Sequence, residues 1–375
     1  MPNPRRGLRI AQVAPLFESV PPAGYGGTER VVAYLTECLV EMGHEVTLYA
    51  SGDSRSRARI VSVIDQHLGL DAGPVDAMAW NAMLIDRVLD DAGAFDVIHF
   101  HTDIVHLPAA VRCATPSLTT LHGRLDLPAL GPLYRQFARH PLVSISSSQR
   151  AQQPDAGWCA TVHHGLPALL YSFQPRTGHY FAFLGRVAPE KRVDRAIDIA
   201  KRSGVSLHIA ASVNPADKAY FEREIAPLLD HPLIHFVGEI SDAQKNRFLG
   251  QARALLMPID WPEPFGLVMI EALACGTPVI AYANGSVPEI IDHGVTGFIV
   301  HDQAEALAAA RAVGQLDRRR CRDVFERRFT AAAMAHAYLA VYRELMARQP
   351  RADPEWHADE AVMEGAGNGR QGSDR

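Results

Sequence analysis

Short apolar runs alternate with amphipathic stretches along this chain in two successive series, and that alternation restricts the fold more than any other feature. Residues 8–14 (LRIAQVA) read as a buried strand, residues 28–42 as a helix with Thr28 as its N-cap, and residues 45–51 (EVTLYAS) as a second strand. A helix over 74–91 follows, and then the strands DVIHFH, SLTTLH and LVSISS. Strand–helix–strand alternation implies a parallel, doubly wound α/β sheet. The pattern restarts after a connector at 165–178. It runs through HYFAFLG, a helix over 190–203, SLHIAAS, a helix near 215–229, IHFVGEI and a helix over 242–252, and ends in ALLMPI, PVIAY and GFIV. A second parallel sheet is therefore expected, with the boundary near residue 170. A chain of 375 residues is long for one hydrophobic core, so two domains are the default.

From Gln303 the sequence is Ala-rich and helical to about residue 347, and a break near Thr330 sets a last helix apart. The expected division is 1–170, 171–329, a closing helix at 330–348 and a disordered tail at 349–375, which is polar, Gly-rich and unpatterned.

The formal net charge of −5 offers no basic field for nucleic acid. Five scattered cysteines (Cys38, Cys113, Cys159, Cys275, Cys321) without CxxC spacing point to reduced thiols in a cytoplasmic protein, not to disulfides or a zinc site. No run has the length of a transmembrane span or of a signal-peptide core, which leaves peripheral membrane contact open.

The densest chemistry lies at 258–300, PIDWPEPFGLVMIEALACGTPVIAYANGSVPEIIDHGVTGFIV. An apolar strand ends in a Pro-rich turn, and apolar spacing predicts a helix over 267–274 that Gly276 and Pro278 stop. Glu263 then stands just ahead of the helix start, and Glu271 lies about two turns inside it. Two carboxylates around a Gly-containing helix start can accept hydroxyls on one side and hold an anion at exposed N–H groups. A sugar nucleotide presents those groups. The bland alternative is a helix-start carboxylate and a surface charge, but the helix is so apolar that Glu271 should be half buried and in need of a partner. Paired carboxylates also suggest a glycosidase, although this spacing does not set them across a scissile bond.

Other motifs add to this. Gly26-Gly27 before Thr28 would let a phosphate approach the backbone, or would simply make a flexible loop. In LGRVAPEKRVDRAIDIA, Arg186 and Lys191 fall at a strand end and the next helix start, where two cations can neutralise a diphosphate. Arg192 and Arg195 read as a solvated basic face. His122, before Gly123, ends a strand of the first sheet, where ligands collect in open α/β folds. His99 and His101 suit structural or supporting roles, and His163-His164 is ambiguous. No three histidines have metal-ligand spacing, so no metal site is expected. The loop in NGSVPEII could supply further phosphate donors.

Together these residues resemble the retaining glycosyltransferases of family 4, which have the GT-B fold: two Rossmann-like domains with parallel sheets facing across a cleft. The resemblance covers roughly residues 8–347. It rests on YGGTE, TLHG, LGRVAPEK, FVGEI, EPFGLVMIE and NGSVPEII in the family's order. The opening is also similar to a bacterial subgroup that includes pterin glucosyltransferases. The resemblance implies that Gly27 packs against the donor diphosphate, and that Arg186 and Lys191 bind its phosphates. Glu263 would face the sugar hydroxyls, with Phe265, Gly266 and Leu267 lining the sugar and phosphate site. Glu271 would hold the ribose, Val237 would border the base, and His122 would sit near the reacting carbon. It also implies a nucleotide-diphosphate sugar, first of all a UDP sugar, as co-substrate, with no cofactor and no metal. The acceptor, whether a small molecule, a glycan or a lipid-linked sugar, has no readable code. One departure is Arg192, where the family usually has Gly. Other chemistry on the same fold, such as an epimerase or a phosphorylase, and a non-catalytic sugar-nucleotide-binding protein are the rival readings.

Overall fold

The computed structural model describes residues 7–24, 26–69 and 72–348. The expected disordered tail at 349–375 lies outside the described residues. The first sheet contains β1 (Arg9–Val13), β2 (Glu45–Tyr49), β3 (Arg59–Val61), β4 (Val97–Phe100), β5 (Ser117–Thr120), β6 (Leu142–Ser144) and β7 (Trp158–Thr161), in the order β3-β2-β1-β4-β5-β6-β7. The second contains β8 (Tyr180–Arg186), β9 (Ser206–Ser212), β10 (Ile234–Gly238), β11 (Ala252–Met257), β12 (Val279–Tyr282) and β13 (Gly297–Val300), in the order β10-β9-β8-β11-β12-β13. Every pairing is parallel. Central strands such as β1 and β11 are buried along nearly their whole length, as continuous apolar runs covered by helices on both faces should be.

Strand order reverses between β1 and β4 in one sheet and between β8 and β11 in the other. Loops beyond the carboxyl ends of strands part at such points and leave a crevice.

Several local expectations need correction. β3 and β7 add two strands to the first sheet; both are short edge strands, half exposed, so neither shows an apolar run. Thr28 is not a cap: the helix runs Gly27–Glu41 from a Gly26 N-cap, with no side-chain cap bond. The helix expected from Glu190 begins only at Val193–Ser203, because a tight turn Pro189–Lys191 and a left-handed Arg192 (φ 54°) precede it. The stretch 215–229 is not one helix but a chain of short turns, with a wide π-type turn at Phe221–Ile225. Pro227 has no N–H to give, and its ring crowds the carbonyl four residues back, which opens the helical ladder there.

The last helix, Ala331–Arg348, starts where Thr330 bridges to Leu166. Its Met334, Tyr338, Leu339 and Tyr342 are buried against Val31, Leu35 and Leu39 of the helix Gly27–Glu41, so it belongs to the core of the first sheet. No described helix is long and apolar enough to cross a membrane.

Candidate functional site

The loop between β11 and the helix Leu267–Ala274 is pinned by its neighbours. Asp260 N donates to Glu190 O at 2.8 Å, Asn284 Nδ2 to Ile259 O at 2.8 Å, and Ser286 N to Glu263 O at 3.0 Å. Ser286 Oγ donates to Phe265 O at 2.8 Å. The NGSVPEII loop thus holds the 258–266 loop in place instead of offering those groups to an anion. Gly285 makes this possible: a Cβ there would stand 2.3 Å from Glu263 N. Gly266, at φ 76°, turns the chain into the helix and no side chain caps it. Met269 N turns back to Gly266 O at 3.0 Å, and the N–H groups of Leu267 and Val268 ahead of it have no side-chain cap.

Glu263 and Glu271 share no partner. Glu263 Oε2 receives Lys191 Nζ at 2.5 Å and Trp261 Nε1 at 2.9 Å, and the ammonium lies 5.0 Å from the Trp261 ring centre. Glu271 is fully buried, not half buried, and its Oε1 receives Tyr171 Oη and Lys245 Nζ, each at 3.1 Å. In both carboxylates one oxygen is anchored while the other has no partner among the described residues. Each second oxygen can therefore accept from an incoming hydroxyl. The two carboxylates are separately braced acceptors.

Arg186, the last residue of β8, donates to Glu190 Oε1 at 2.6 Å, and its Nε is 3.3 Å from Asp217 Oδ2. Its charge is countered before any anion arrives. Arg192 and Arg195 are not a solvated basic face. Both reach Asp260, at 2.9 and 3.3 Å; Arg192 also forks onto Asp194, and Arg195 lies over Tyr282. Val237, on the edge strand β10, is 48% exposed and is open to a flat ligand.

Across the cleft, a Cβ on Gly27 would lie 3.9 Å from Leu267 Cδ1, so the turn of the first domain sits against the helix start of the second. Arg30, buried on the helix Gly27–Glu41, pairs with Asp242 and donates to Gly24 O at 2.7 Å. Asp242 also meets Lys245 at 3.1 Å, so alternating charges run Arg30, Asp242, Lys245, Glu271.

On the other side, Glu289 accepts from the Ser147 and Ser148 amides at 2.8 Å each and from His163 Nε2 at 3.3 Å. Burial alone would raise its carboxyl, but these donors hold it down at about 2. The cleft beside it, about 460 Å³, is lined by Ser147, His163, Arg328 and Met334 among others.

His122 follows β5. Its Nε2 lies 2.8 Å from His101 Nδ1, and its ring stacks on His164 at 5.1 Å, which meets Phe265 edge-on at 4.9 Å. Loss of solvation pushes His122 down to about 3, so the ring is neutral at physiological pH. His99 is buried between Tyr342 and Thr120, at 2.7 Å from each. The contributions of Arg30, Lys245 and Gln12 escape a reading by motif, and Glu289, although it lies in NGSVPEII, pairs with Ser147 and Ser148 in a way local spacing does not show. Of the first three only Gln12 leaves a trace, as a polar residue between Ala11 and Val13. Among the described residues, no three His, Cys, Asp or Glu side chains are grouped as a metal would require.

Comparison with known proteins bears on this geometry. Residues 172–320 match the family model "Glycosyl transferases group 1", and residues 25–197 match "Glycosyltransferase Family 4". The chain is 26% identical over 404 aligned residues to a glycogen synthase of Mycobacterium tuberculosis, covering 90% of this chain and 97% of that protein. Among solved structures it is similar to AviGT4, a glycosyltransferase involved in avilamycin A biosynthesis, with a TM-score of 0.69 and 26% identity over 91% of this chain and 99% of that one. Anabaena HepE, solved with UDP and glucose, shares the fold with a TM-score of 0.68 at 16% identity, over 90% and 100% of the two chains.

Proposed function

We propose that this chain, which belongs to the family 4 glycosyltransferases of GT-B fold, moves a hexosyl unit from a UDP-linked donor to an acceptor hydroxyl with retention at the anomeric carbon. The use of a nucleotide sugar is common ground with its relatives; the base, the sugar and the stereochemistry are our reading. One observation carries it. Lys191 and Glu263 meet at 2.5 Å beside an uncapped helix start, under a glycine turn of the opposite domain. A cation, a hydroxyl acceptor and free amides are thereby gathered where a sugar diphosphate would need all three.

In this reading the diphosphate lies between the Gly27 turn and the amides at Gly266 and Leu267, with Arg186 and Lys191 as its cations. The free oxygen of Glu263 takes sugar hydroxyls next to Phe265, the free oxygen of Glu271 takes the ribose, and Val237 borders the base. His122 serves the reacting end. The acceptor oxygen attacks the anomeric carbon on the face that the diphosphate leaves. The carbon–oxygen bond to phosphate breaks as the new bond forms, and the acceptor proton passes to the departing phosphate oxygen. Negative charge grows on the diphosphate in the transition state, and Lys191 and Arg186 stabilise it more there than in the ground state. The domain division at residue 170 and a cytoplasmic location fit the same reading.

The test is product analysis by NMR with UDP-α-glucose and a panel of hydroxylated acceptors. An α-linked product with release of UDP is expected. A β-linked product would overturn retention, and indifference to every nucleotide sugar would overturn the whole reading.

A further inference from the structure

Gln12 lies within β1, fully buried between Ala11 and Val13. Its amide nitrogen donates to Tyr342 Oη at 3.0 Å, and this turns its Oε1 toward His101 Nε2 at 2.8 Å. An amide oxygen only accepts, so His101 must carry its proton on Nε2 and present a bare Nδ1. That bare nitrogen lies 2.8 Å from His122 Nε2, which must then be the donor. Burial holds the His101 ring, like that of His122, neutral. The proton order therefore leaves His122 Nδ1 as a lone pair. This atom is buried and has no partner among the described residues. A buried acceptor left unpaired is costly, and a ligand that supplies its donor relieves that cost.

We infer that Gln12 is a positioning residue which, acting through His101, fixes the tautomer of His122 so that Nδ1 accepts a hydrogen bond from a substrate hydroxyl. The inference rests on the reading of His122 as the group at the reacting end. Tyr342 meets the other end of the amide: its hydroxyl accepts from Gln12 Nε2 at 3.0 Å and lies 2.7 Å from His99 Nδ1. With the amide reversed, its nitrogen would donate into His101, each proton along the relay would shift, and His122 Nδ1 would become a donor. The orientation of one buried amide thus sets the polarity of the catalytic imidazole.

Two measurements decide this. Nitrogen NMR of the full chain labelled with ¹⁵N-histidine should show neutral His122 protonated at Nε2; an Nδ1–H signal for His122 overturns the relay. In kinetics, Gln12→Met should lower the rate of UDP release from UDP-glucose about tenfold while UDP affinity stays within about twofold. Gln12→Glu, whose carboxylate likewise accepts from His101, should keep most of that rate at pH 8. A Gln12→Met variant with the wild-type rate, or a folded Gln12→Glu variant as slow as Gln12→Met, overturns the inference. Wild-type protein that neither binds UDP nor releases it sinks the glycosyltransfer reading instead, and the NMR result still decides the relay.

Discussion

Arg30 and Asp242, 212 residues apart in sequence, are joined across the cleft by an ion pair that ties the first-domain helix to the first residue of the helix Asp242–Gly250. The guanidinium is buried and fixes the loop carbonyl of Gly24 at the same time. The pair is made only when the two domains face each other as they do here, so it should favour closure over a bound donor. Arg30→Gln is expected to raise the donor KM about fivefold or more, the range of an ordinary coupling between sites. Asp242→Asn should do the same, and the double variant should be no worse than either single one. A strictly additive double variant would show that the two residues act separately.

Lys191 touches Glu263, and in the proposed reaction it stands where charge would grow on the leaving diphosphate. Lys191→Ala should lower kcat by about a hundredfold with a smaller change in donor affinity, because the interaction matters most in the transition state. Steady-state kinetics with UDP-glucose read this directly. A variant with the wild-type rate would remove Lys191 from the chemistry.

Glu271 carries its anchors on one oxygen and leaves the other open. Glu271→Ala removes the open oxygen and leaves Lys245 with Asp242 as its remaining carboxylate partner. UDP titration by calorimetry should show binding weakened by roughly 2 kcal/mol or more, the cost of a charge-assisted hydrogen bond. Unaltered UDP affinity would contradict the ribose role.

Glu29 sits in the first turn of the helix Gly27–Glu41, almost wholly buried, and burial raises its carboxyl from an ordinary 4.5 to about 7. The folded state holds this proton more tightly than the unfolded one. Its contribution is therefore intact below about pH 4.5 and is lost as pH rises to 7, a penalty of at most about 3 kcal/mol. Glu29→Gln keeps the shape and removes the charge. It should raise Tm at pH 8 and change it little at pH 5. Equal shifts at both pH values would show that the carboxyl is not paying this desolvation cost.

The strands β11 and β12 and the helix Leu267–Ala274 were legible because each is a buried apolar run with a clear stop. β3 and β7 were not, because an edge strand needs no apolar face and three or four residues carry no period. Glu263 and Gly266 share one local motif and Lys191 falls in another, so the sequence brought them to notice. The pairing of Arg30 with Asp242, of Glu289 with the Ser147 and Ser148 amides, and of His101 with His122 depends on how the strands are ordered, which local spacing does not encode. Arg192 shows the converse. The departure from Gly falls on a left-handed residue, where Gly would be at ease, and Asp194 and Asp260 clamp the side chain that replaces it.

The helix Ala331–Arg348 completes the core that the opening strands began, since Tyr338 and Tyr342 reach back to Thr120, His99 and Gln12. On the ribosome, the half of the protein made first must wait for the segment made last, while the half encoded between them can mature independently. A chain released early would expose the unfinished face of its leading domain, so premature termination should yield aggregation instead of a smaller working enzyme.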